Sequence, residues 1–119
     1  MKTVKEPGSA HGGLSDWYWQ RISAVVLALL LPLPFTLLVA VYSGSIDQQG
    51  LLDLIDHPVS RVLHTVLILG LMMHAYVGLK VMLEDYVHVV AWRIPLIATM
   101  LVLMIGFGIW WLALIWAWL

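Results

Sequence analysis

Three stretches without a single Asp, Glu, Lys or Arg divide this chain: residues 22–42, 62–79 and 94–119, which are 21, 18 and 26 residues long. A hydrocarbon core about 30 Å thick takes about 20 residues of helix, so each run is long enough to cross it. Within lipid no water satisfies backbone N–H and C=O groups, and an isolated run can then only be a helix. Composition agrees. Of the 119 residues, 62% are hydrophobic and 11% charged, with a mean hydropathy of +0.95. A soluble domain carries about 25% charged residues. The expected fold is therefore an all-α integral membrane protein with three transmembrane helices at about 17–43, 59–84 and 93–119, in one membrane domain covering 1–119.

The polar lead of residues 1–16 and the length of the first run argue against a cleaved signal peptide, and no small-residue cleavage site follows the run. The first helix is read as retained. Pro32 and Pro34 each remove a backbone donor and should bend it, while Pro95 suits the first turn of the third helix. Lys2, Lys5, Arg21, Lys80 and Arg93 flank one side of the membrane and Arg61 alone the other. That asymmetry puts the N-terminus and the second loop in the cytoplasm. Trp17, Tyr18, Trp19 and Trp92 form an aromatic belt on that side, and Trp110, Trp111, Trp116 and Trp118 form one on the other.

A net charge of −1 with no basic cluster gives no basis for a nucleic-acid partner. Without Cys the chain has no disulfide and no thiolate ligand for zinc or an iron–sulfur cluster. Any redox centre here uses His or is borrowed from another chain.

The second run contains His74, flanked by Gly70 and Gly78 one turn to either side. Two readings fit this spacing. The glycines leave a recess in which a flat macrocycle could lie with its iron on the imidazole, or they let a neighbouring helix approach while His74 hydrogen-bonds to it. His64 projects about 80° away and about 15 Å along the axis, so the two cannot share one iron. The first and third runs contain no His, so a second axial ligand would come from another chain or the iron would be five-coordinate. His64 lies one turn from Arg61 and reads as a polar residue near the interface.

Asp85 returns to nearly the face of His74, and Tyr86 follows at the cytoplasmic boundary. A phenol beside a carboxylate suits a quinone carbonyl, the phenol donating a hydrogen bond and the carboxylate orienting it or relaying protons. An interfacial Tyr and a loop-starting Asp fit equally well. Arg21 could hold a propionate in a bidentate pair or simply reach lipid headgroups.

Taken together, His74-Ala-Tyr-Val-Gly78, Val81 and Asp85-Tyr86-Val87, with Trp19-Gln20-Arg21-Ile22-Ser23-Ala24, resemble the smaller of the two hydrophobic membrane anchors of bacterial succinate dehydrogenase. The resemblance covers nearly the whole chain. It implies a three-helix protein of the bacterial inner membrane, bundled with a second membrane anchor and docked to a flavoprotein and an iron–sulfur protein. It implies that His74 is an axial ligand to haem b, with the other ligand from the second anchor, and that Arg21 lies near the haem propionates. Tyr86, with Asp85 beside it, would hydrogen-bond ubiquinone. The chain departs at Ser15, where some relatives carry His before the residue matching Asp16. The rival expectations are a fumarate reductase anchor, the same architecture run in reverse, and a small transporter or assembly protein with no cofactor.

Overall fold

The computed structural model describes residues 10–116, and the side chains of 13–116. Lys2, Lys5, Trp118 and Leu119, used above for orientation and anchoring, lie outside the described residues. The regular structure among the described residues is entirely helical: α1 Ala10–Leu30, α2 Pro32–Tyr42, α3 Gln48–Asp56, α4 Pro58–Tyr86 and α5 Val90–Trp116. Three rods are long and apolar enough to cross a membrane, Gly13–Tyr42, Pro58–Tyr86 and Val90–Trp116. The architecture is that of a three-helix membrane protein.

The first rod is α1 and α2 in series, interrupted at Leu31. Leu31 N–H still donates to the Leu27 carbonyl at 2.8 Å, and Phe35 N–H reaches Leu31 only at 3.4 Å. Pro32 and Pro34 have no N–H for the carbonyls of Ala28 and Leu30, and the helix breaks there. The rod closes on Gly44, whose φ of 72° turns the chain. Gly44 N–H donates to Val41 O at 3.1 Å and Ser45 N–H to Ala40 O at 2.9 Å, the pairing of a Schellman cap.

Between the first two spans the sequence predicts a loop, but α3 occupies its middle. Asp47 caps it by accepting from Gly50 N–H at 2.8 Å, and Leu51, Leu52, Leu54 and Ile55 give it an apolar side. Pro58 stops α3 and opens α4, whose first turn His57 caps through Val59 N–H at 3.3 Å.

Contacts define the layout. α4 packs against α1 on one side and α5 on the other, while α1 and α5 do not meet among the described residues. The pairings run antiparallel: Asp16 meets Lys80 and Ser23 meets His74, and Thr65 meets Trp116. Buried apolar side chains accordingly concentrate on α4, with Leu67, Ile68 and Val77, plus Leu27 from α1 and Ile115 from α5. Lipid is as apolar as leucine, so close van der Waals fit decides which faces meet. A Cβ on Gly70 would stand 2.9 Å from Val26 Cγ1, and one on Gly108 would overlap Met72. A small residue is needed at the Gly70 seam, where Val26 is β-branched, whereas at Gly108 the flexible end of Met72 can move aside.

One expectation fails. α5 starts at Val90, so Pro95 is inside the helix rather than in its first turn. The Val89 carbonyl already accepts from Trp92 and Arg93 N–H, both at 3.0 Å, so helix precedes the proline. The donor lost at Pro95 would have served Ala91, which is exposed at the helix end and can be solvated there.

At the opposite end Arg61 pairs with Asp56, lies 5.8 Å over the Trp116 ring, and Trp116 Nε1–H donates to Thr65 Oγ1 at 2.8 Å. This cluster ties the ends of α3, α4 and α5 together. His64 is buried beside it at 3% exposure, with its Nδ1 2.8 Å from the Ser60 carbonyl. An imidazole bonded to its own helix is a satisfied core residue.

Candidate functional site: a cleft between α1 and α4

Where α1 begins and α4 ends, the two helices enclose a cleft of about 900 Å³. Sites for small molecules and cofactors commonly measure about 300–1,000 Å³. Asp16, Trp17, Gln20, Arg21 and Ala24 of α1 line it from one side, and His74, Val77, Gly78, Lys80, Val81 and Glu84 of α4 from the other.

His74 is half-buried and faces α1 rather than lipid. Its Nδ1 is 3.2 Å from Ser23 Oγ, and its Nε2 is 3.4 Å from Gln20 Nε2. Ser23 O–H also faces the Trp19 carbonyl at 2.6 Å. A hydroxyl has one proton, and the shorter contact claims it. Ser23 can then only accept from His74, which puts the imidazole proton on Nδ1 and the free lone pair on Nε2. Ser23 itself is tolerated inside a helix because it bonds back one turn.

Gln20 is less well served. Its Nε2–H reaches the His74 lone pair at the long end of hydrogen-bonding range, and its Oε1 is buried without a partner. Gly78 makes room for it, since a Cβ there would lie 3.3 Å from Gln20 Nε2. The two glycines flanking His74 thus face the first helix, Gly70 against Val26 and Gly78 against Gln20, which is the close-approach arrangement.

Of the residues singled out in the sequence, the structure brings His74 and Arg21 into one cleft. Arg21 also lies 5.5 Å over the Trp17 ring. Asp85 and Tyr86 stand apart, at the end of α4 and outside the cleft walls, Tyr86 at 80% exposure. Sequence reasoning gave no role to Ser23, Gln20 or the Asp16–Lys80 pair, whose Nζ–Oδ2 distance is 2.8 Å. A signal for the first two existed: Gln20 and Ser23 are three residues apart, hence neighbours on one face at the membrane entry of an apolar helix.

Fold and cleft define a polytopic helical membrane protein with a histidine-bearing cleft, apolar over most of its surface, between two of its spans. The chain belongs to the family described as succinate dehydrogenase/fumarate reductase transmembrane subunit, which it matches over residues 1–115. It is similar to the succinate dehydrogenase hydrophobic membrane anchor subunit of Coxiella burnetii, with 24% identity over 91% of this chain and 92% of that one. The proteins of the same description from Paracoccus denitrificans and Rickettsia bellii are 32% and 30% identical, each over 71% of this chain, covering 64% and 66% of their own lengths.

Proposed function

We propose that the chain is the hydrophobic anchor of a bacterial succinate dehydrogenase, sharing a haem b with a second membrane anchor and forming part of the site where ubiquinone is reduced. The family description spans succinate dehydrogenase and fumarate reductase, and three relatives bearing the succinate dehydrogenase anchor name favour the first. Family membership also sets aside a transporter unrelated to respiration.

The observation that carries the haem reading is the state of His74. Metal-binding imidazoles hold their second ring N–H in a hydrogen bond, which fixes the tautomer and orients the ring. Ser23 does this at Nδ1, Nε2 faces the Gln20 amide, and His74 lines a cleft of suitable size together with Arg21. Its present contact, Gln20, is held weakly and leaves a buried oxygen unpartnered, so Gln20 can yield. The residues present therefore fit a haem: His74 would hold the iron, Arg21 a propionate, and the second axial ligand would be the partner anchor's. When bound, the group supplies one-electron redox chemistry at an imidazole-ligated iron.

The rest belongs to this chain's own side chains. Ser23 positions His74, and α1 shields its ring from lipid. Tyr86, exposed where α4 leaves the membrane, donates a hydrogen bond to a quinone carbonyl, and Asp85 beside it orients the phenol or relays a proton. A flavoprotein and an iron–sulfur protein dock on this cytoplasmic face and deliver succinate's electrons.

Purifying the complex through a tag on this chain tests the reading. Copurification of a flavoprotein and a Cys-rich iron–sulfur protein, with a b-type signal in the reduced-minus-oxidised spectrum, is expected. A complex without a b-type signal removes the haem assignment, and a chain that purifies alone removes the anchor role.

A further inference from the structure

Arg21 is not the only cation in the cleft. Lys80, on the facing wall, is held at 2.8 Å by Asp16, and the two side chains are 27% and 25% exposed. A freely exposed ion pair contributes little and would need no explanation. This one is three-quarters covered, joins α1 to α4, and lines the same cavity as His74 and Arg21.

The arrangement has a direction. Lys80 is six residues beyond His74, about 9 Å along the helix toward its end. Lys80 therefore lies nearer the end of α4 than His74 does, and two cations line the cleft from opposite walls, Arg21 from α1 and Lys80 from α4, with the carboxylates Asp16 and Glu84 among the same lining residues. An ammonium has three donors, and Asp16 takes one. Its four-carbon stem is flexible enough to keep that partner while turning another N–H inward.

We propose that Lys80 is a second carboxylate-binding cation of the cleft: Arg21 takes one propionate of the haem and Lys80 the other, with Asp16 acting as the positioning residue that holds the ammonium in place. The inference rests on the haem reading above and adds to it a division of the two carboxylate arms between the two walls. It also gives the Asp16–Lys80 pair a purpose beyond joining helices. A pin needs opposite charges at the seam but has no reason to face a cavity that holds a histidine and an arginine.

The test uses the assembled complex in membranes and redox titration of its b-type signal. Lys80→Gln removes a positive charge beside the group and is expected to lower the haem midpoint potential. Lys80→Arg should restore it, and Asp16→Asn, which removes a negative charge, should raise it. A pin alone predicts that Lys80→Gln and Asp16→Asn loosen the same seam and change haem content together. Redox-difference infrared spectra with haem isotope-labelled at its propionate carboxylates then separate contact from charge acting through space. Lys80→Gln is expected to move one of the labelled carboxylate bands. Loss of haem from both Lys80→Gln and Asp16→Asn, potentials that shift in the same direction, or labelled bands that stay in place in Lys80→Gln would each overturn the proposal. A wild-type complex with no b-type signal fails at the earlier step and is recognised before any variant is made.

Discussion

Ser23 Oγ stands 3.2 Å from Nδ1 of His74 while its own hydroxyl points 2.6 Å to the Trp19 carbonyl. This two-step chain fixes which ring nitrogen of His74 is bare. Ser23→Ala leaves the ring free to rotate and to exchange tautomers. Outer-shell partners of metal ligands typically contribute about 10–100-fold in affinity. Haem bound per complex in Ser23→Ala should fall by a factor in that range under haem-limited growth, with assembly of the complex retained. Quantitation by the pyridine haemochrome method checks it.

His74→Ala removes the imidazole itself. No other described His reaches the cleft, since His64 is bonded to the Ser60 carbonyl near the opposite end of α4. The b-type signal is expected to be lost or strongly reduced, while the helices can still pack through Gly70 and Gly108. Undiminished haem content in the purified variant complex refutes the ligand assignment.

Tyr86→Phe keeps the ring and deletes the donor. Charge grows on a quinone carbonyl during reduction, so the phenol's bond strengthens toward the transition state and its loss reaches turnover. Removing one such bond costs about 1–3 kcal/mol, roughly ten- to a hundredfold in rate. Quinone reduction should drop by that factor, and succinate oxidation with a dye that accepts electrons upstream should stay near wild type. Equal loss of both activities makes Tyr86 structural, and no loss of either makes it a belt residue.

Gly70→Val tests the α1–α4 seam directly. Even its first added carbon would meet Val26 Cγ1 at 2.9 Å, and neither β-branched side chain has a flexible end that can swing away. Overpacking of this kind costs about 1–3 kcal/mol. The variant complex is expected to lose its b-type signal at a lower temperature than wild type. Gly106→Ala, where a Cβ meets nothing within 4 Å in this chain, is the comparison.

Orientation rests on Lys and Arg counts, five at one face and one at the other. A reporter that works only outside the cytoplasm should be active when fused after Leu119, and one that works only inside should be silent. The reverse pattern inverts the whole cytoplasmic-face argument for Tyr86.

Much of this was legible because lipid leaves a chain few choices. Charge-free runs of helical length had to become helices, and Pro32 and Pro34 had to interrupt one. The α3 helix was less visible: nine residues with acidic and amide side chains resemble a loop, and only its spacing of Leu and Ile behind the Asp47 cap marks it. Pro95 misleads because the span is read from the last charge, Arg93, which puts the proline in its first turn, whereas Val89 already accepts the first helical bonds. Around His74 the sequence left two meanings for the glycines. Which face of α4 meets α1 depends on tertiary packing, and so do the partners Ser23 and Gln20, more than fifty positions away.

The order of the spans, α1 on α4 and α4 on α5 with no direct contact between α1 and α5 among the described residues, has a mechanical meaning. α4 is a spine with a cover on each side, and the covers are joined through it and, at one end, through α3, which touches both α2 and α5. Beyond the end that α3 covers, three helices in a row leave the flat sides of α4 without a third neighbour among the described residues. In that sense the unit is a half-built wall, ready to be leaned on.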